Sequence, residues 1–357
     1  MKIKSVESWR ENFGLVRPYT IASKGTISDV SSIIVEMELE NGVKGLGACS
    51  PADPDKDENV EKSEAALHNS NVGWLEGRAI ESIDEISADL RTRMFNTPAS
   101  RAALDIALFD ALSSYRGMPL ADLLGRYHER LPTSITIGIK SMEESIEEAK
   151  EYTGRGFQIL KLKTGHSAEE DIAKIHRIRE EIDPSIIIRV DANQGYEKAD
   201  YQKFIEGTRD MNIEFVEQPF KKGEIEKMRS LDEEYKSLIA ADESLQNEED
   251  AAILATEPRA CGIFNIKLMK CGGIHSALNI AAIAKQAGIS LMWGCMDESR
   301  ISIAAGLHAA FACPNTKYLD LDGSLDLARD IVTGGFEIKN GMMRTLESPG
   351  LGLQRFS

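Results

Sequence analysis

The chain has 357 residues, 42% of them hydrophobic and 28% charged, with a formal net charge of −16. That length allows more than one core, while the acidity argues against nucleic acid and anionic membrane as partners, because both need a basic face. The five cysteines (49, 261, 271, 295, 313) form no C-x-x-C pair, no apolar run approaches the roughly 20 residues of a membrane span, and the opening MKIKSVESWRENF has no signal-peptide core, so a reducing cytoplasmic setting is expected.

In chain order, the first elements are hairpins. VSSIIVEMELENGVKGLG alternates apolar and polar residues from Ile33 to Leu39, turns at Asn41-Gly42 and resumes at Val43. Thr97-Pro98 then opens a helical run, SRAALDIALFDALSSYRG, which stops at Gly117. Hairpins followed by helices predict a separate α+β domain over residues 1–120.

From about residue 132 short apolar strands alternate with amphipathic helical stretches. Strands are expected within 133–139, 157–163, 185–191, 213–219, 237–243, 262–268, 288–294 and 317–322. From the second strand on, the polar end residues are Lys163, Asp191, Glu217, Asp242, Lys267, Cys295 and Asp320, separated by steps of 25 to 28 residues. One strand, one helix and two loops occupy about that length. Eight such units close most simply into a (β/α) barrel over 121–323. A doubly wound open sheet is the runner-up, although the Gly-rich phosphate loop usual after its first strand is missing. The tail, 324–357, reads as a hairpin that packs back on the N-terminal domain. The fold class is therefore α/β, a barrel of the modified TIM type with an N-terminal α+β capping domain completed by the C-terminal tail.

The strand ends carry the chemistry. Side chains two apart on a strand share a face, so Lys161 and Lys163 point together toward the barrel mouth, where active sites of this architecture lie. Asp191, Glu217 and Asp242 end three successive strands. Three bare carboxylates held that close repel one another, and a divalent cation relieves the repulsion. An all-oxygen set without His or Cys suits Mg²⁺. Taken singly, each acid also reads as a helix cap or surface charge; three in phase on consecutive strands favour the metal.

Lys163 and Lys267 flank this group from strands that face each other across a closed barrel. A free lysine, with a pKa of about 10.4, is a poor base at neutral pH, and a nearby cation lowers it. A salt-bridge role for both lysines is the plain alternative, and Lys270 competes with Lys267. A metal-held carboxylate between two amines suits removal of the proton from the adjacent carbon and its return on the opposite face.

K-L-K (161–163), D-A-N (191–193), E-Q-P (217–219), D-E-S (242–244) and K-L-M-K-C-G-G (267–273) together resemble the muconate-lactonising subgroup of the enolase superfamily, over nearly the whole chain. The resemblance implies Mg²⁺ on Asp191, Glu217 and Asp242. It also implies acid/base roles for Lys163 and Lys267, support of the substrate carboxylate by Lys161, and a polar contribution near the metal from Asn193.

Within the subgroup the eighth strand discriminates. YLDLDG places Asp320 and Asp322 together, which is similar to the mark of the dipeptide epimerases (L-Ala-D/L-Glu epimerase-like) and suits the α-ammonium of a dipeptide. An acidic turn before Gly323 is the plain reading. Cys295 and Asp297 in GCMDES, and Thr136, are further candidate substrate contacts. Side-chain choice would come from a lid, RPYTIASKGTIS (17–28), and a second loop at 49–59, with Lys24 as a candidate contact. Arg would be the better fork for a carboxylate, so Ala-Glu and Ala-Ala or hydrophobic dipeptides stand equal as expected substrates. The expected activity is Mg-dependent epimerisation at the α-carbon of the C-terminal residue, by a homo-oligomeric isomerase. The alternatives are an N-acylamino acid racemase or o-succinylbenzoate synthase and, outside enzymes, an idle barrel that binds small acids.

Overall fold

A computed structural model describes residues 1–17, 19–21, 25–27, 29–51, 58–165 and 167–356. The N-terminal alternation forms an antiparallel sheet of β1 (Ile3–Asn12), β2 (Ser31–Leu39) and β3 (Lys44–Cys49), with β2 in the middle. Asn12 pairs with Ser31 and Ile33 with Cys49. Helix α1 (Pro98–Arg116) starts on proline at its first turn, where a missing N–H costs nothing, and ends at Gly117. It is buried along nearly its whole length because β3 lies directly on it. The approach is so close that a Cβ on Gly47 would stand 1.8 Å from the Ala103 carbonyl oxygen. Two short strands, Tyr19–Ile21 and Gly25–Ile27, pair antiparallel within the lid segment.

The eight strands expected from the regular step are all present. They are β4 (Ile135–Ile137), β5 (Ile159–Lys163), β6 (Ile187–Asp191), β7 (Ile213–Glu217), β8 (Ile239–Ala241), β9 (Ile263–Ile266), β10 (Ser290–Trp293) and β11 (Thr316–Leu319). They pair in parallel and in sequence order. The ring is joined where Thr133 bridges Leu319 and the Ser134 amide donates to the Leu319 carbonyl. Most strands are shorter than expected, by up to three residues at an end. Asp242, Lys267 and Asp320 therefore stand one residue beyond their strands, and Cys295 two beyond.

Helices α2 (Met142–Gly154), α3 (Ala168–Glu181), α4 (Lys198–Gly207), α5 (Glu248–Ala255), α6 (Leu268–Cys271), α7 (Ile274–Gln286) and α8 (Arg300–Ala312) return the chain. Ser141 and Glu144 form a capping box on α2, satisfying amides that the helix itself cannot. Inside the ring, Phe215, Ala240, Ile263 and Met292 pack with Tyr318 into a plug separate from the main core, as closed barrels require. Arg189 is buried beside this plug between Phe215 and Tyr318, 5.2 and 5.3 Å from their ring centres. Its guanidinium donates to Glu214 at 2.7 Å and, across the interior, to the Leu319 carbonyl at 2.5 Å.

The tail forms the expected hairpin, β12 (Phe336–Lys339) and β13 (Met342–Thr345), and β13 also pairs with Leu131–Pro132. Beyond it, the Leu351 amide donates to Asp110 on α1 at 2.7 Å, and Gly350 accepts from Leu120. The capping helix also grips the barrel: Arg101 donates to the carbonyls of Cys271 and Gly272, and Asp105 accepts from the His275 amide. No helix among the described residues is long and apolar enough to cross a membrane.

Candidate active site

Register places the acids. Lys163 lies beside Asp191, Asp191 beside Glu217, and Glu217 beside Ala240, two residues before Asp242. All three carboxylates are buried. Burial raises the Glu217 carboxyl well above its ordinary value; Lys161 works against the shift, and Asp191 and Asp242 add to it. Asp242 goes the other way. Burial alone would raise it, but Lys267 and Lys270 outweigh burial and hold it far below the usual carboxylate range.

The lysines divide by depth. Lys163 is at the strand tip, with its side chain 39% exposed and its Nζ 3.8 Å from Asp191 Oδ2. Lys161, one pleat lower, is not at the open mouth as expected but buried, at 4% exposure. Its ammonium lies 2.7 Å from Asp320 Oδ2, 2.7 Å from Glu217 Oε2 and 3.7 Å from Asp191 Oδ2. Burial lowers its pKa, yet these three acids overcome burial and hold it well above the ordinary lysine value. Lys267 Nζ donates to Asp242 Oδ2 at 2.7 Å, and it too is held above the ordinary value by Asp242 and Glu217 against the effect of burial. In this structure carboxylates are the nearest charges of Lys161 and Lys267, and they raise both lysines.

Strands β5 and β9 are four apart in a ring of eight, so Lys163 and Lys267 approach the acid group from opposite sides. Gly294 gives Lys267 its room: a Cβ there would stand 2.5 Å from Asn265 Oδ1 and 3.1 Å from the Lys267 Cε.

Gln218 and Asn265 escaped the sequence reading, Lys270 entered it only as a competitor of Lys267, and Asn193 was named in it. Lys270, read as lying beyond the strand, folds back from the single turn α6 and donates to both the carbonyl and the carboxylate of Asp242. Gln218 accepts from the Asp242 and Ser244 amides and donates to Ser244 Oγ, tying the β7 and β8 loops together. The Asn265 amide donates to Glu217 Oε1 at 2.8 Å. Asn193 has a left-handed backbone, φ 43°, and its amide donates to Asp191 Oδ1 at 3.0 Å, so it shapes the loop behind that acid.

The acids fit a hard cation. Among the described residues no three His, Cys, Asp or Glu side chains already converge on one point, since lysine ammoniums stand between them. Even so, among the described residues buried Glu217 Oε2 has no aligned hydrogen-bond donor, its Lys161 neighbour lying off the hydrogen-bond direction, and Glu243 Oε2 has none either. Burial, Asp242 and Asp191 push the Glu243 carboxyl upward. Oxygen donors in excess of aligned hydrogen-bond donors are what Mg²⁺ binds.

On the other side of the mouth, both Asp320 oxygens are engaged: Oδ1 accepts from Ser134 Oγ at 2.6 Å and Oδ2 from Lys161. Burial would raise this carboxyl, but Lys161 overcomes it and holds it low. Asp322 Oδ2 accepts from the Thr136 amide at 2.7 Å, which gives Thr136 a backbone rather than a side-chain part. Burial, then Asp320 and Asp326, push Asp322 well up. At the rim, the surroundings of the exposed Asp326, with Asp297 and Glu148 adding and Arg17 and Lys140 opposing, raise it to about 6, and buried Glu298 reaches about 7. Among the described residues no lysine or arginine is in ion-pair distance of Asp322 or Asp326. Cys295 Sγ spans the Asp320 carbonyl and the Gly323 amide, so it braces the eighth-strand loop, while the Asp297 carbonyl accepts from Ser50 of the capping domain. Lys24 lies outside the described residues, as does much of the lid.

Known proteins resemble this chain over nearly its whole length. Residues 6–125 match the N-terminal domain model of mandelate racemase and muconate lactonizing enzyme, and residues 144–355 match the enolase C-terminal domain-like model. A protein of Desulforapulum autotrophicum named L-Lys-D/L-Arg epimerase is 52% identical over 99% of this chain and 100% of its own. The crystal structure of a dipeptide epimerase from Methylococcus capsulatus, complexed with Mg and the dipeptide L-Arg-D-Lys, superimposes with a TM-score of 0.97 at 48% identity, covering 99% of both chains. An L-Ala-D/L-Glu epimerase of Clostridium acetobutylicum is 33% identical over 99% of each chain. The chain belongs to the enolase superfamily, within the mandelate racemase and muconate lactonizing enzyme family.

Proposed function

We propose that this protein is a Mg²⁺-dependent dipeptide epimerase that acts on dipeptides carrying cationic side chains. Asp191, Glu217 and Asp242 hold the metal, with Lys270, Gln218, Asn265 and Asn193 fixing the acids behind it. Bound there, Mg²⁺ supplies a Lewis acid that stabilises the charge a substrate carboxylate gains when the adjacent carbon is deprotonated. Lys161 orients that carboxylate. Lys163 and Lys267, on opposite sides of the barrel, take and return the α-proton of the C-terminal residue. Lys267 is kept charged by Asp242 and Glu217; a cation held by those acids would offset that support and would lower the lysine toward moderate pH.

The observation that carries the substrate class is the acid group of Asp322 and Asp326, beside Glu298, none of which has a lysine or arginine in ion-pair distance among the described residues. A dipeptide brings an α-ammonium to such a group, and lysine or arginine side chains bring more. An acidic substrate side chain would be repelled, and so would the succinyl group of an N-succinyl amino acid or a succinylbenzoate precursor. The relatives at 52% and 48% identity are named for lysine and arginine dipeptides, whereas the Ala-Glu name belongs to one at 33%.

The test is a panel of dipeptides in D₂O with Mg²⁺, followed by α-proton NMR. Lys- and Arg-containing dipeptides should exchange with inversion, faster than Ala-Glu or Ala-Ala, and chelation should stop exchange until Mg²⁺ is restored. Preference for Ala-Glu would overturn the cationic class, and absence of exchange on every dipeptide would overturn the epimerase.

A further inference from the structure

The seam between the capping domain and the barrel holds a cavity of about 740 Å³, a size usual for small-molecule sites. Residues 95–98 and Arg101 line it from the cap, and residues 246–249 and Lys270 from the barrel. Lys270 is committed to Asp242. Arg91, also in the lining, is committed to Glu248 Oε1 and to Glu249. Arg101 is 6% exposed and spends Nε and Nη2 on the carbonyls of Gly272 and Cys271. Among the described residues its Nη1 makes no hydrogen bond, and no carboxylate comes within ion-pair distance of it. On the barrel side, buried Gln246 Oε1 and Glu248 Oε2 accept from no donor among the described residues. A guanidinium can only donate and a carboxylate can only accept, and leaving either unmatched out of water is costly. Burial pulls the Arg101 guanidinium below its ordinary range, and Glu248 is among the groups that oppose this through space. The two charges therefore feel each other without pairing. Phe95, 72% exposed, and Pro98 add an apolar surface to the same lining.

We propose that this cavity is a second ligand site, which takes a free α-amino acid with an apolar or aromatic side chain. The carboxylate meets Arg101, the ammonium meets Glu248 and Gln246, and the side chain lies against Phe95 and Pro98. A simple anion would satisfy Arg101 and leave both acceptors bare; a simple cation would do the reverse. An α-amino acid carries the two charges one carbon apart, and so suits a guanidinium and an acid that do not reach each other. The site uses none of the side chains proposed to hold Mg²⁺ or to move the α-proton, and it does not depend on the epimerase reading.

The test is calorimetric titration of the Mg²⁺-loaded protein with L-phenylalanine, with N-acetyl-L-phenylalanine and with L-phenylalaninamide, joined by a crystal structure grown with L-phenylalanine. The free amino acid should bind about 10-fold more tightly than either analogue, since each analogue leaves one side of the cavity unmatched. Ala65→Trp, on the exposed face of the Val60–Ala66 helix where it lines the cavity, should abolish the binding. Equal affinity for all three compounds, or binding that survives Ala65→Trp, would overturn the proposal. So would L-phenylalanine seated only among Asp191, Glu217 and Asp242, or a cavity that holds nothing but ordered water. The ranking of the three compounds is read on the wild-type chain, so it decides the matter even if the variant does not fold.

Discussion

The two sides of the barrel mouth manage charge in opposite ways. From β5 to β9, lysines flank and reach between three successive acids, and the buried Asp242 and Lys161 have partners of opposite sign within 2.7 Å. Around β10 and β11, Asp322 and Asp326 face each other's field with no ion pair among the described residues, and their carboxyls are pushed upward. A charge-matched wall works on protons, because small displacements of an ammonium between fixed acids change its pKa. An unmatched wall works on binding, because it is stabilised only when a ligand brings the missing cation.

The sharpest way to break this contrast is on the matched side. Lys267→Ala should lower epimerisation about 10³-fold, while α-proton exchange in D₂O survives for the epimer whose proton faces Lys163. Loss of exchange from both epimers alike would mean that the two lysines do not act separately. On the unmatched side the effect should be smaller and substrate-specific. Asp326→Asn should reduce kcat/KM for Lys-Arg dipeptides about 5-fold, as expected for a rim charge, and leave Ala-Ala unchanged. A similar loss on Ala-Ala would assign Asp326 to folding rather than to recognition.

The smallest effect lies away from both walls and concerns stability. Asp110, buried on α1, accepts the Leu46 and Leu351 amides, and burial raises its carboxyl from the ordinary 3.8 to about 6. Between those values the folded chain holds a proton that the unfolded chain has released. The stabilising contribution is complete below pH 3.8 and is lost as pH rises through 6. Urea titrations at stepped pH should show the wild type losing stability relative to Asp110→Asn across that window. Parallel curves would place the Asp110 pKa elsewhere.

How much of this was legible in the sequence depended on range. The step of 25 to 28 residues exposed the barrel because each βα unit repeats a local pattern, and it placed Asp191, Glu217, Asp242 and Lys267 at the mouth for the same reason. Lys161 and Lys163 were correctly read as sharing a face. Their different depths were not visible, since one pleat of the strand separates a buried ammonium from a half-exposed one. Lys270 could have been found: three residues after Lys267, it sits on the same side of a helical turn. Ser134 and Arg189 could not, because their partners lie 55 to 186 residues away, and nothing in TSITI or IIIRVD signals them.

The bonds from Arg101 to the carbonyls of Cys271 and Gly272 carry a consequence for traffic. They fasten the capping helix to the very turn that follows Lys267, and the C-terminal residues lash the same helix from its other end. A cap riveted at both ends cannot swing open as a door without dragging a proposed base out of place. Dipeptides must therefore enter and leave along the rim, while the roof and floor of the chamber stay in register from one turnover to the next.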